Sequence, residues 1–418
     1  MDHFALTVDH EEALPRLGTI AAQHGYEIEE FADRGWFKSL YVRDPADNRI
    51  EFATQAPGFT LDEPLEHLGE RLVYHRNLKT GAPKSKLISK LKEWISMIEH
   101  PLLGMNHVTA MASDPQAIFD FMSKTLGLHL IKKTVNQDAL DTYHFYFTDD
   151  QGTAGTDMTF FTFPNQEKGK KGTNMISRAS FRVPSDAALD YWLKRFADKG
   201  VANDGINTQF DAKIINFHDQ DDQQYQLISD EHNHGVAGGT PWKHNDVPEE
   251  FAITGLGPVT VTIFNLGHMQ YVLTEIMGYK QIAEDGNWSL YEVGDGGHGA
   301  QVILEHREDL PISVEGFGNI HHAAFSTDNR ETLGTWIDRI KQYRLPQSGY
   351  VDRFYFKSEY FRAAPQVLFE LATTGPGFLQ DETYDEAGIH LELPPFLESK
   401  RAEIERGLTP VKTDWRGR

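Results

Sequence analysis

Two histidines and one glutamate stand where this chain could do chemistry. His107 opens the apolar run His107-Val-Thr-Ala-Met-Ala, His322 opens His322-Ala-Ala-Phe-Ser-Thr, and Glu370 lies inside Val367-Leu-Phe-Glu-Leu-Ala-Thr. Alternate residues of a strand share a face, so each of these side chains can point one way while its neighbours pack the other. A carboxylate inside so apolar a strand needs a partner, because burying one alone is expensive. A metal ion would supply that partner; a salt bridge to Arg353 or an exposed strand face would also account for Glu370. Two His and a carboxylate hold one side of an ion, leave the other side open, and suit Fe(II) better than the sulfur-rich sites of structural zinc. The chain has 19 histidines, so residue type alone selects nothing. Position within a repeat does.

The repeat is ungapped. Asp33-Arg34-Gly-Trp-Phe37-Lys38-Ser39-Leu-Tyr41-Val-Arg43 matches Asp352-Arg353-Phe-Tyr-Phe356-Lys357-Ser358-Glu-Tyr360-Phe-Arg362 at an offset of 319, which also carries His3 onto His322 and Glu51 onto Glu370. Between these copies a looser unit recurs, a strand, a helix and three strands, starting near Met105, Ile176, Gly257 and Ile320. The fold class expected is α+β, built of repeated βαβββ modules. The organisation expected is an extra partial module over 1–72, a linker helix over 73–103, two modules over 104–231, a linker over 232–253, two modules over 254–380 and a tail over 381–418. The first linker carries Leu87, Ile88, Leu91, Trp94, Ile95 and Ile98 on one helical face, which reads as a connector packed on the protein or as a basic helix on a membrane surface. The second contains His232, His234 and His244, which read as solvated loop residues rather than as a metal site.

Composition narrows the function classes. A net charge of −22 would repel nucleic acid and anionic lipid. No apolar run is long enough for stable membrane insertion, so a soluble, cytoplasmic protein with a small-molecule partner is expected, in which homo-oligomerisation stays open. With no cysteine, thiolate metal sites, iron–sulfur clusters and a cysteine nucleophile are excluded.

From Gly104 to about Leu408 the chain resembles the ring-cleaving dioxygenases of the vicinal oxygen chelate superfamily, in particular the branch acting on hydroquinones. The resemblance rests on His107-Val-Thr-Ala, Lys132-Lys-Thr-Val-Asn136, Thr142-Tyr-His-Phe-Tyr146, Gly155-Thr156, Thr159-Phe-Phe161, His321-His322, Asp352-Arg353 and Phe369-Glu370-Leu-Ala-Thr-Thr-Gly-Pro-Gly-Phe378. It implies cupped sheets, iron(II) held by His107, His322 and Glu370 (with Mn(II) as the alternative ion), and a pocket lined by Thr109, His321, Arg353 and Tyr360. The substrates implied are a small dihydroxylated aromatic ring and O2. Arg353 is a permanent cation able to hold a phenolate, Tyr360 can donate to the same oxygen, and His321 can move a proton near neutral pH. Relatives often carry His directly before the first ligand; here that residue is Asn106, which cannot act as a base.

Two other classes compete: a glyoxalase-like metal-dependent isomerase or lyase on the same scaffold, and a non-catalytic protein that binds an aromatic compound. The N-terminal copy keeps His3, Arg34, Tyr41 and Glu51, a half-site that lacks a third ligand; it reads as a vestige of partial duplication, as a second site completed by another protomer, or as a competitor of the fourth module for His107 of the first.

Overall fold

The computed structural model describes residues 4–8, 14, 17–18, 21, 26–33, 38–43, 49–54 and 100–416. His3, Arg34 and the expected connector helix lie outside the described residues. The chain divides into two units, Met1–Lys90 and Leu91–Arg418.

The first unit contains strands β1 (Phe4–Val8), β2 (Glu27–Asp33), β3 (Lys38–Arg43) and β4 (Arg49–Thr54), in the sheet order β1-β4-β3-β2. Leu40, Val42, Ile50 and Phe52 are buried. Tyr41 stands opposite Glu51 across the β3–β4 ladder.

The second unit holds four modules. The first is β5 (Met105–Met111), α1 (Pro115–Phe119), β6 (His129–Asn136), β7 (Ala139–Thr148) and β8 (Asp157–Thr162). The second is β9 (Met175–Val183), α2 (Asp186–Lys199), β10 (Asn203–Gln209), β11 (Ala212–His218) and β12 (Gln224–Ser229). The third is β13 (Gly255–Ile263), α3 (Leu266–Tyr271), β14 (Lys280–Asp285), β15 (Trp288–Glu292) and β16 (Gln301–His306). The fourth is β17 (Ile320–Thr327), α4 (Arg330–Gln342), β18 (Val351–Asp352), β19 (Phe356–Ala364) and β20 (Val367–Pro376), followed by a tail with α5 (Arg401–Gly407). Asp114, Ser185, Asn265 and Asn329 cap the four module helices by accepting from backbone N–H groups that would otherwise lack partners. Gly200, in the left-handed region at φ 69°, stops α2. β7 begins at Ala139, because Asn136 pairs directly with Ala139 across a two-residue turn.

The modules pair first with fourth and second with third. One eight-stranded sheet runs β18-β19-β20-β17-β5-β8-β7-β6, the other β10-β11-β12-β9-β13-β16-β15-β14. In each, two first strands meet antiparallel at the centre, β17 with β5 and β13 with β9. Each sheet curls into a half-barrel. The helices cover one face over a core that includes Phe119, Trp192, Phe196 and Trp336, leaving the other face to line the half-barrel. In β19 and β20, Tyr360 stands opposite Glu370, the same pairing that Tyr41 makes with Glu51 in the first unit, so the sequence offset of 319 is reproduced in strand register. No helix among the described residues is long and apolar enough to cross a membrane.

The tail closes one side of the first half-barrel. Lys132 of β6, fully buried, donates to Asp381 Oδ1 at 2.7 Å and pairs with Glu382, while the Tyr355 hydroxyl donates to Asp381 Oδ2 at 2.8 Å. Lys133 donates to the carbonyl of Ile389 and to Thr413 Oγ1. A Cβ on Gly388 would lie 1.9 Å from the Leu130 carbonyl oxygen, so only glycine lets the tail approach the strand this closely.

Candidate metal centre

Strand pairing brings together residues that are far apart in sequence. β5 supplies His107, β17 supplies His322 and β20 supplies Glu370, and all three side chains are buried on the face opposite the helices. The two Nε2 atoms are 3.2 Å apart, and each lies 3.0 Å from Glu370 Oε2. Among the described residues this is the one cluster of three such side chains whose ligand atoms converge. Arg353 does not pair with Glu370. It makes its ion pair with Asp138 at 2.9 Å, and the histidines of the second linker are not gathered with one another; His244 packs on Trp415 instead.

The surroundings suit a cation. His107 Nδ1 lies 2.9 Å from Asn106 Oδ1, and the orientation of that amide is fixed because its Nδ2 donates to Ser326 Oγ at 3.0 Å. Nδ1–H is therefore the donor, and Nε2 presents a lone pair to the centre. His322 Nδ1 lies 2.8 Å from Nδ1 of His321, which can accept from it and so leave the His322 Nε2 lone pair facing the centre. Two lone pairs and a carboxylate then face one another, and Glu370 Oε1 is buried without a hydrogen-bond partner. A divalent metal ion fits this donor set.

The sequence reading singled out Thr109, His321, Arg353 and Tyr360 as further site residues. The structure brings all four to the centre, with two differences in detail. His321 sits behind His322 as its hydrogen-bond partner, the place that Asn106 takes behind His107. Arg353 does not occupy a strand; it lies in the turn between β18 and β19, where Phe354 takes a φ of 69°, and its Nε donates to the Tyr360 hydroxyl at 3.1 Å. That turn lets residues seven apart reach the same pocket. Burial, and next the Glu370 charge, raise the pKa of the Tyr360 phenol, so it keeps its proton for donation.

A chain of polar groups went unassigned in the sequence. Tyr146 Oη lies 2.8 Å from His144 Nδ1, His144 Nε2 3.0 Å from Thr159 Oγ1, Thr159 Oγ1 2.7 Å from Thr109 Oγ1, and Thr109 Oγ1 2.9 Å from His322 Nε2. The signal available was the alternation of His144 and Tyr146 in one strand, which puts both on the inward face. Around the centre, the Phe356 ring lies 5.1 Å from that of His107, and the Tyr360 ring 5.6 Å from that of His322. Such walls suit a flat apolar ring.

The sequence model of the Glyoxalase/Bleomycin resistance protein/Dioxygenase superfamily matches residues 104–227. MhqA of Bacillus subtilis (strain 168), named as a ring-cleaving dioxygenase, is 41% identical over 314 residues, covering 74% of this chain and 99% of MhqA. The chain belongs to the ring-cleaving dioxygenases of this superfamily. A second relative, the chlorohydroquinone/hydroquinone 1,2-dioxygenase of Sphingobium indicum, is 30% identical over 315 residues, covering 72% of this chain and 95% of its own length. A crystal structure from Bacillus subtilis described as a dioxygenase superposes with a TM-score of 0.69 at 30% identity, covering 75% of this chain and 98% of its own. This ring-cleaving dioxygenase carries, in addition, the N-terminal unit whose sequence repeats its own fourth module.

Proposed function

We propose that this enzyme binds Fe(II), with Mn(II) as the alternative, through His107, His322 and Glu370, and opens a dihydroxylated aromatic ring of the hydroquinone or catechol type with O2. The observation that carries this reading is the three-donor cluster with Arg353 and Tyr360 beside it and aromatic walls around it. The name of the Sphingobium relative supports a hydroquinone. A glyoxalase-like reaction generally uses an additional carboxylate or amide ligand, and among the described residues no further carboxylate joins the cluster.

The iron, when bound, would bring the ring hydroxyl and O2 onto one ion and couple their electron transfer. The protein supplies charge and position. Arg353, anchored by Asp138, faces a phenolate oxygen with a planar donor fork, and Tyr360 adds a second donor. Asn106 and His321 fix the ring orientation and tautomer of the two histidines.

The test is oxygen uptake by protein loaded anaerobically with Fe(II), against a panel of hydroquinones and catechols. Zinc- or nickel-dependent turnover without oxygen uptake would overturn the reading. Arg353→Lys should lower turnover more than iron affinity, because Lys keeps the charge and loses the fork; normal activity per bound iron in that variant would contradict the role. Asn106→Ala should weaken metal binding by about 10–100-fold, the usual cost of removing a partner behind a ligand histidine, measured by competition with a chelator. Unchanged affinity would show that His107 needs no such support.

The N-terminal copy should not form a catalytic centre of its own. Glu51 Oε1 already accepts from the Ser39 hydroxyl at 2.6 Å and the Tyr41 hydroxyl at 2.7 Å, and His3 adds one ligand in sequence where two are needed. Deleting residues up to Pro83 should leave one iron per chain and most of the oxygen uptake. Loss of a full equivalent of iron with the fold intact would show that the copied half-site works.

A further inference from the structure

The four first strands of the second unit meet in pairs, and both pairs share one register. In the half-barrel of the candidate centre Val108, one residue after His107, lies opposite Ala323, one residue after His322. In the other half-barrel Ala179 lies opposite Val259, and each stands six residues before its helix cap, as Val108 and Ala323 do. Each pair of modules is therefore joined about an approximate two-fold axis between equivalent residues. The first strand of the N-terminal unit has no such neighbour among the described residues: β1 is an end strand of its sheet, bonded to β4 alone. Phe4 pairs with Ile50 as Ala323 pairs with Phe369, both at the offset of 319, so β1 repeats β17 on one edge and lacks on the other what β5 supplies.

An end strand offers unpaired backbone N–H and C=O groups, and natural sheets guard such strands with charge, proline or a bulge. β2, the other end of this sheet, is guarded: it carries Glu27, Glu29, Glu30 and Asp33. β1 reads Phe4-Ala-Leu-Thr-Val8, with no charge and no proline, and its ladder with β4 runs without a bulge. The residues that would reach a partner can be named from β17. Ser326 N donates to the Gly104 carbonyl and Ser326 O accepts from Leu103 N, so Ser326, and Ala324 two residues earlier, turn their backbone groups toward the first module. Thr7 and Ala5 are their equivalents in β1.

We propose that β1 is a docking edge for a second copy of this chain, the two β1 strands pairing antiparallel with Phe4 opposite the partner's Phe4. That register is the one both half-barrels already use, and it would join two four-stranded sheets into one of eight strands. An antiparallel pair of identical strands is self-complementary, so it closes into a two-fold dimer and leaves no edge to propagate. β5 is not available as the partner, since its own edges are held by β17 and β8. The pairing needs no metal, because Glu51 is held by the hydroxyls of Ser39 and Tyr41.

Sedimentation of the full-length protein, with a chelator present, should show particles holding twice as many chains as those of Ala5→Pro. Proline is tolerated on an end strand where the lost N–H faces water, whereas here it would remove a bond to the partner. A second variant reads the register directly. The chain has no cysteine, so Phe4→Cys adds a single thiol, and residues facing each other across an antiparallel pair stand close enough for a disulfide. Mild oxidation should link Phe4→Cys chains in pairs at least about tenfold faster than Phe396→Cys chains, because paired strands hold the thiols at high effective concentration while the exposed position 396 meets its copy only by collision. Equal chain numbers in the wild type and Ala5→Pro would overturn the proposal. So would linking of Phe4→Cys no faster than of Phe396→Cys, which would leave the β1 edge to a segment of the same chain.

Discussion

Alanine in place of His107 will abolish metal binding and ring cleavage while the protein still unfolds cooperatively at nearly its original temperature. The centre has three donors, so removing one leaves a pair that cannot enclose one side of an ion. Affinity should fall by well over the roughly 100-fold that loss of a supporting partner alone can cost. The fold should survive because His107 faces the interior of the half-barrel, whereas its neighbours Val108 and Ala110 carry the packing against the helices. Removing the imidazole also relieves two neighbouring lone pairs in the metal-free protein. Metal content by elemental analysis and a thermal melt on the same sample decide the matter. Global unfolding, or full metal occupancy, would sink the assignment.

The second large effect concerns stability. Leucine in place of Glu359 should stabilise the protein, by on the order of 3 kcal/mol at pH 8 and by less at pH 5. Glu359 lies in β19 on the opposite face from Tyr360; it is fully buried, and neither carboxyl oxygen has a hydrogen-bond partner. Burial, and after it the charge of Asp338 on α4, pushes its carboxyl up from 4.5 to about 8. The folded state thus holds the proton up to about pH 8, whereas the unfolded chain releases it above about 4.5. This group's contribution to stability is accordingly favourable at low pH and is lost as pH rises between those values. The N-terminal copy carries Leu40 at the equivalent position, and that side chain is also fully buried. Chemical denaturation at the two pH values gives the test. A gain of equal size at both, or a loss at pH 8, would mean that the carboxylate has a partner when ionised.

Much of this molecule could be read from the chain. The repeated modules mark where first strands begin, and His107 and His322 hold equivalent places, each opening one. Position in the repeat, together with the family resemblance, was enough to single out residues more than 200 positions apart whose side chains the structure brings together. Contacts without a local pattern were not legible. Lys132 stands in a recognisable motif, but its partners Asp381 and Glu382 lie far along the chain in a segment with little periodicity. Asn106 looked like a lost base, because sequence names the residue and not the atom it faces; the structure turns its oxygen to His107 Nδ1. The burial of Glu359 was hidden because its strand reads as mixed polar and apolar, and tertiary packing of helices on β19 closes that face.

Pairing of the first module with the fourth sets a schedule for synthesis. About 216 residues separate the end of β5 at Met111 from the end of β17 at Thr327. At roughly 5–20 residues per second, a ribosome needs about ten to fifty seconds to cross that stretch. Throughout that interval the nascent first module has made β5 but not β17, the strand that covers its edge, and Lys132 awaits a counter-ion still to be translated. The second and third modules, adjacent in the chain, can close on each other well before then. A chain stalled after Ser229 would expose the β5 edge and the unpaired β9 edge together, which makes that length the one most in need of a chaperone.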